Sequence, residues 1–253
     1  MDESENKVNT TERSFRILEL IKEENGLPLD EITEQLDLAK STAHRHVETL
    51  VTHGYLIKKS GQYRIGLRFL DPAIHARNNR SVFQTATSHV DELADKIGED
   101  VWLLAMESGH SIVLYRADIS GSIKTSERLG QRRLLHQSAG GKAMLAELPD
   151  SEILKIVENY GLEPLTEDTI TKKATLFEEL TEIRDRGYGC NFQETVIGLN
   201  AASTAITGPE GNVEGAISVT GPERRLHEEL IHEEIADKLL ARANEIEVNL
   251  RYS

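Results

Sequence analysis

Basic and histidine side chains are concentrated in one part of an otherwise acidic chain. The 253 residues carry a formal net charge of −14, yet residues 38–70 hold six basic residues against one acidic residue, Glu48. Cations neutralise the phosphates of nucleic acids, so a local basic patch is more informative than the net charge. The distribution predicts a surface that binds nucleic acid in this region and an acidic, solvated surface elsewhere.

The side chains of this patch that could contact DNA lie in two short runs. One run begins a predicted helix, where residues that enter the major groove reach base edges and phosphates. The other lies near the tip of a predicted hairpin. The candidate DNA-contacting residues are Lys40, Ser41, Thr42, His44, Arg45, His46, Lys58 and Lys59. A histidine metal site is disfavoured, because His44 and His46 are two residues apart and project from different helix faces.

Three helices and a hairpin would position these side chains. The apolar residues Ala43, Val47, Leu50 and Val51 have helical spacing and face a core. Asn9 and Glu12 have the spacing of a capping box at the start of the first helix. We expect helices over residues 10–25, 28–36 and 40–53, and strands over 55–57 and 62–65. This order predicts a helix-turn-helix with a wing, although a charged helix face can also be merely solvated.

The rest of the chain has a different character. A helical pattern from Leu67 to Ile97 predicts a linker helix, and strands mixed with helices follow it. The predicted domains are a winged helix-turn-helix over 1–70, a linker helix over 71–98 and an α+β domain over 99–253. The chain has one cysteine, an N-terminus unlike a secretory signal and no long apolar run. We therefore expect a cytoplasmic protein without an intrachain disulfide.

Several segments resemble the IclR family of transcriptional regulators. The runs "TERSFRILELIKEENGLPLDEITEQLDLAKSTAHRHVETLVTHGYL" and "GQYRIGLRFL" resemble that family's DNA-binding domain, and "LLHQSAGGKAML" and "GNVEGAISVTGP" resemble its effector-binding domain. The resemblance implies a winged helix-turn-helix joined by a linker helix to a GAF-like α+β domain that binds an effector. It also implies a homodimer or dimer of dimers and a small organic or aromatic acid as effector. It implies no enzyme activity and no cofactor.

The resemblance also assigns an effector pocket to particular residues. These are Ser138, Ala139, Gly140, Asn191, Leu199, Ala201, Ser218 and Thr220. Backbone amides at a helix start suit a carboxylate, but Ser138–Gly140 could equally be a glycine-rich turn. Asn191 stands where many relatives have aspartate, and Ala201 where relatives often have cysteine. Ser218 and Thr220 alternate on a strand and share a face, which could line a pocket or be solvated.

Two other functions remain as alternatives to a DNA-binding regulator. One is a small-molecule-binding enzyme with an accessory winged helix, and the other is a protein-interaction module. The sequence contains no P-loop and no G-x-S-x-G motif, and His227 and His232 are five residues apart instead of the four of a zincin helix. No catalytic residue and no metal ligand is therefore predicted. The basic patch disfavours the interaction module.

Overall fold

The computed structural model describes residues 8–117 and 128–252. The chain forms two compact units that divide between Ala76 and Arg77. Within the described residues, no helix is both long enough and apolar enough to cross a membrane.

The N-terminal unit is the predicted winged helix-turn-helix. Its elements are α1 (Asn9–Glu23), α2 (Leu29–Leu36), α3 (Lys40–Thr52), β1 (Leu56–Lys59) and β2 (Gln62–Ile65). The antiparallel hairpin turns through Ser60 and Gly61, which both have positive φ, as a tight two-residue turn requires. The core is formed by Ile17, Ile21, Leu27, Ile32, Val47, Leu56 and Tyr63.

The capping box expected from Asn9 and Glu12 is absent. Helix α1 begins at Asn9 itself, and Val8 holds the N-cap position without a side-chain hydrogen bond. Asn9 therefore lies one position too far into the helix to cap it.

The linker region contains two helices where the sequence predicts one. A short 3₁₀ turn (Leu67–Phe69) leads into α4 (Leu70–Asn78), and α5 (Ser81–Ile97) follows after a break. Helix α4 has no buried residue. Helix α5 buries five apolar side chains in the C-terminal unit, namely Val82, Ala86, Val90, Leu93 and Ala94. The apolar face of α5 therefore packs against the sheet.

The C-terminal unit is built on a six-stranded antiparallel sheet with the order β5-β4-β3-β8-β7-β6. The first three strands in the chain are β3 (Asp100–Glu107), β4 (His110–Ala117) and β5 (Arg132–Leu134). The last three are β6 (Gly189–Phe192), β7 (Leu199–Thr207) and β8 (Val213–Pro222). Helix α5 and the C-terminal helix pack on one sheet face. The other face meets α6 (Ala139–Ala146), α7 (Asp150–Tyr160) and α8 (Lys173–Arg186).

The C-terminal helix is not regular throughout. It begins as α9 (Glu228–Leu230), passes through a π-helical turn (Ile231–Ile235) and continues as α10 (Ala236–Leu250). His227 caps its start by accepting a hydrogen bond from the Leu230 amide, and His232 is hydrogen-bonded to the Tyr188 hydroxyl. These two histidines therefore have separate structural partners.

Candidate nucleic-acid interface and ligand cavity

Helix α3 presents most of its predicted DNA-contacting side chains to solvent. Ala43 and Val47 are buried, and this fixes the opposite side of the helix as the exposed one. Lys40, Ser41, His44 and Arg45 are exposed, and Thr42 is half-buried. Lys40 Nζ lies 2.5 Å from Asp30 Oδ1, and His44 Nε2 lies 3.8 Å from Glu48 Oε1. Both contacts are exposed, so they compete only weakly with a phosphate.

His46 has a different environment from its neighbours on α3. Its Nδ1 lies 2.8 Å from Ser14 Oγ on α1, and the side chain is half-buried. Burial lowers the pKa of His46, and the positive charges of Arg13 and Arg45 lower it further. The imidazole is therefore neutral near pH 7 and joins α3 to α1, whereas Arg45 remains exposed.

The two wing lysines lie on opposite faces of the hairpin. Lys58 is paired with Tyr63 across the strands, and its Nζ lies 4.9 Å from the centroid of that buried ring. Lys59 projects to the other face, as strand alternation requires. Arg64 shares that face with Lys59 and is exposed. Arg64 belongs to the basic patch but is not among the predicted DNA-contacting residues. Its alternation with Tyr63 along β2 could have identified it as exposed.

All eight residues predicted for the effector pocket line a single cavity on the sheet face opposite α5. The cavity encloses about 650 Å³, including its open mouth. The strand register explains the arrangement, because Ala201 lies directly opposite Asn191 on one side and Thr220 on the other, so these side chains share a face. Ser218 is buried and Thr220 is half-buried. This strand face is therefore not simply solvated.

The N-terminus of α6 forms one wall of the cavity. Ser138 is the N-cap, and its Oγ accepts a hydrogen bond from the Gly141 amide at 3.1 Å. The amides of Ala139 and Gly140 belong to the first turn, where the helix itself supplies no acceptor. Both residues line the cavity. These amides and the positive end of the helix dipole favour an anion at this wall.

Packing requires glycine at position 141 and favours it at position 140. A Cβ added to Gly140 would lie 2.3 Å from Leu104 Cδ1, and one added to Gly141 would lie 2.0 Å from the carbonyl oxygen of Leu135. The two glycines therefore let α6 approach the sheet and the preceding turn closely. This contact places the amide-bearing end of α6 against the cavity floor.

Asn191 is buried and is hydrogen-bonded to Gln137, which is far away in sequence, and to Thr195, which is close in sequence. Its Nδ2 donates to the Gln137 carbonyl at 3.1 Å and to Thr195 Oγ1 at 3.0 Å. The Thr195 hydroxyl in turn donates to the same carbonyl at 2.6 Å. Asn191 and Thr195 therefore attach the segment after β6 to the residue that precedes the N-cap of α6.

About half of the residues that line the cavity were not predicted from the sequence. The additional lining residues are Trp102, Leu104, Ser111, Val113, Gln131, Arg133, Thr195, Val196 and Asn200. Among the lining residues that the structure describes, Arg133 alone is charged. Trp102 and Leu104 belong to a continuous apolar run whose alternation is hidden, because both faces of β3 are buried.

A buried ion pair holds the segment that carries Thr195. Lys142 on α6 is only 1% exposed, and its Nζ lies 2.6 Å from Glu194 Oε1 and 3.8 Å from Glu179 Oε1. Burial raises the pKa of Glu194, and the charge of Lys142 opposes that change. Cys190 lies nearby on β6, and burial raises its thiol pKa to about 11. It is a core cysteine and not a reactive one.

Comparisons with known proteins cover both the unit that contains α3 and the hairpin and the unit that contains the cavity. The family model described as "IclR helix-turn-helix domain" matches residues 10–59, and "Bacterial transcriptional regulator IclR C-terminal" matches residues 74–248. The chain belongs to the IclR family of transcriptional regulators. Its matched homologues are regulators and not enzymes.

The IclR relatives match the chain over nearly its entire length. The "Probable HTH-type transcriptional regulator ArcR" of Halobacterium salinarum is 31% identical, with 96% of this chain and 94% of the relative covered. The IclR structure from Thermotoga maritima is 28% identical, with a TM-score of 0.78 and coverage of 96% and 98%. An IclR homologue from Microbacterium hydrocarbonoxydans, complexed with 4-hydroxybenzoate, shares the fold at 23% identity, with a TM-score of 0.81 and coverage of 97% and 100%.

Proposed function

We propose that this IclR-family regulator binds a specific DNA operator through α3 and the β1–β2 hairpin, and that a small carboxylic acid in the cavity changes this binding. The acid is an organic or aromatic acid. The observation that carries the proposal is that the eight residues assigned to the effector pocket by resemblance, from four elements, line one cavity at the N-terminus of α6. A regulator that acts on chromosomal DNA does so in the cytoplasm.

The chemistry of the cavity supports an anionic effector. The wall at α6 offers the amides of Ala139 and Gly140, and no carboxylate is present among the lining residues that the structure describes. An anion therefore meets hydrogen-bond donors and a helix dipole without a repelling charge on the wall. The 4-hydroxybenzoate complex of the Microbacterium homologue also contains a carboxylic acid.

The exposed side of α3 supports the DNA contacts. We assign Lys40, Ser41, Thr42, His44 and Arg45 to direct contact with the operator. Lys58 and Lys59 contribute charge from the wing. His46 acts from behind this surface, since it is hydrogen-bonded to Ser14. Arg45 is exposed and can bind a guanine edge or a phosphate with its planar guanidinium.

Exposed apolar side chains on the linker support a homodimer or dimer of dimers. Leu67, Leu70 and Ile74 are 81%, 54% and 46% exposed. Their spacing of three and four residues places them on one side of a helical segment. Such a stripe is stabilised when a second copy of the chain covers it.

The experiment combines DNA binding with ligand binding. Fluorescence anisotropy would measure the affinity of the purified protein for labelled DNA from upstream of its own gene, over a range of salt concentrations. Calorimetry would measure the binding of small carboxylic acids, with the corresponding amides as uncharged controls. We expect at least one acid to bind and its amide to bind at least tenfold more weakly. Equal binding of acid and amide would contradict an anionic effector.

A further inference from the structure

We infer that Trp102 is a specificity-determining residue of the cavity, and that its indole N–H donates a hydrogen bond to an oxygen of the effector. This inference rests on the proposed function, because it assigns a further contact in the same cavity. It follows from the hydrogen-bonding state of the Trp102 indole and from the place of this side chain on the cavity floor.

The indole N–H of Trp102 is a buried donor whose hydrogen bond the surrounding side chains do not supply. The side chain is only 2% exposed, and Nε1 has no hydrogen-bond partner among the residues that the structure describes. An indole nitrogen can only donate, and buried tryptophans usually place it against an acceptor. An unpaired buried donor costs free energy, so a molecule that brings an acceptor to Nε1 recovers that cost on binding.

The sheet register places Trp102 on the face that forms the cavity. Its Cα lies opposite that of Ser218 on β8, so the two side chains project from the same face. Both residues line the cavity. A molecule held in the cavity therefore contacts the Trp102 side chain and can bring an acceptor to Nε1.

The amide-bearing end of α6 packs close to Trp102. Leu104 is two residues further along β3, so the two side chains share a face and their Cα atoms are about 7 Å apart. A Cβ added to Gly140 would lie 2.3 Å from Leu104 Cδ1, so the first turn of α6 rests on this neighbour of Trp102. A small acid bound to the amides of Ala139 and Gly140 therefore brings a carboxylate oxygen, or an oxygen a few bonds away, towards the indole.

Arg116 holds the indole ring in place from the neighbouring strand. It lies opposite Trp102 on β4, and its Cζ lies 4.5 Å from the centroid of the ring. Arg116 Nη2 in turn lies 2.7 Å from Asp100 Oδ2, and both of these side chains are largely buried. The ring is therefore fixed before a ligand binds, which lowers the ordering cost of binding.

The test uses the fact that Trp102 is the only tryptophan of the chain. Its indole N–H therefore gives a single signal in a proton–nitrogen correlation spectrum of the full-length protein. Three pairs of acids would be titrated, each pair differing by a ketone in place of a methylene group: levulinate and pentanoate, 4-oxocyclohexanecarboxylate and cyclohexanecarboxylate, and 4-acetylbenzoate and 4-ethylbenzoate. Calorimetry would measure each affinity. We expect at least one acid that binds to move the indole proton signal downfield, in step with saturation of the cavity.

The pairs identify the oxygen that accepts the hydrogen bond. A downfield shift with both members of a pair assigns the carboxylate oxygen, and a shift with the ketone alone assigns the carbonyl oxygen. Saturation of the cavity without a downfield shift, for every acid that binds, would overturn the inference and leave the proposed function intact. Binding of none of the six would overturn both.

Two replacements test the N–H group itself. Trp102→Phe removes the N–H and keeps an aromatic ring, so we expect the acid that shifts the signal to bind about fivefold or more weakly. Residue-specific incorporation of benzothienylalanine at the sole tryptophan exchanges the N–H for sulfur and preserves the ring volume, so we expect the same loss. Thermal melts would show that both proteins are folded. Wild-type affinity of the folded benzothienyl protein, whatever the loss in Trp102→Phe, would overturn the inference.

Discussion

His46 on α3 is joined to Ser14 on α1 by a hydrogen bond of 2.8 Å between Nδ1 and Oγ. The residue immediately before it, Arg45, is exposed. These adjacent residues of α3 therefore have different surroundings: His46 attaches the helix to α1, and Arg45 faces solvent.

Arg45→Ala should reduce specific operator affinity about fivefold or more, because it removes a planar cation worth about 1–3 kcal/mol at a base edge. Its melting temperature should stay unchanged, since the side chain is exposed. His46→Ala is the matched variant and should lower the free energy of unfolding by about 1 kcal/mol through the lost hydrogen bond. Anisotropy and thermal melts measure the two effects. Wild-type affinity in Arg45→Ala would contradict its assignment to the DNA surface.

The buried pair Lys142–Glu194 should be costly to break from one side. Lys142→Met should lower the free energy of unfolding by about 3–5 kcal/mol, because it leaves the buried Glu194 uncompensated. Glu194→Gln should cost less, because Glu179 Oε1 still lies 3.8 Å from Lys142 Nζ. The double variant should lose less than the sum, since it leaves neither charge behind. Urea unfolding of the four proteins measures the coupling. Additive losses would show that the two groups do not depend on each other.

Alanine at the start of α6 should destabilise the protein even without a ligand. Gly140→Ala should lower the free energy of unfolding by about 1–3 kcal/mol, because the new methyl group meets the end of the Leu104 side chain. Gly141→Ala should cost more, because its methyl group meets the backbone carbonyl of Leu135, which cannot rotate away. Urea unfolding measures both. The reverse order would contradict the packing role given to these glycines.

The start of α5 is attached to the ends of two strands that form the cavity floor. Arg80 pairs with Glu107 at the end of β3, and Ser81 Oγ donates to Glu214 Oε2 on β8 at 3.3 Å. Arg80→Ala should leave acid binding unchanged but reduce the effect of the acid on operator affinity, because the linker then follows the strands less closely. Both partners of this ion pair are substantially exposed, so the stability change should stay below about 1 kcal/mol.

A control for Arg80 is Lys173, which pairs with Glu158 in an exposed ion pair away from the linker. Lys173→Ala should leave the ratio of operator affinities with and without acid at its wild-type value. An unchanged ratio in Arg80→Ala would show that this contact does not connect the cavity to the linker.

The stability of the protein should depend on pH through His136. Its ring is buried, with Nε2 3.0 Å from the Glu163 carbonyl oxygen, and burial is the main cause of its lowered pKa. The unfolded chain therefore takes up a proton at a higher pH than the folded one. The contribution of neutral His136 to stability is fully present above the ordinary histidine pKa of about 6.5, and it falls as the pH drops below that pKa. His136→Gln should show a smaller loss between pH 7 and pH 5 in thermal melts, and an undiminished loss would contradict this origin.

Much of this architecture could be predicted from the sequence, because local patterns determine it. The stripe of Ala43 and Val47 predicts the exposed side of α3, and Ser60-Gly61 predicts the hairpin turn. The break before α5 was not predicted, because the helical pattern continues across it. The partners of Asn191 were also missed, since Gln137 lies 54 residues away and only the folded sheet brings the two together.

The central claim is that a small acid in the cavity changes operator binding. The most direct measurement is the affinity of the full-length protein for DNA upstream of its own gene, with and without the tightest-binding acid, at several salt concentrations. We expect specific binding that the acid shifts at least fivefold at every salt concentration, which corresponds to a coupling of about 1 kcal/mol. Specific binding that the acid leaves unchanged, although the cavity is saturated, would contradict the account.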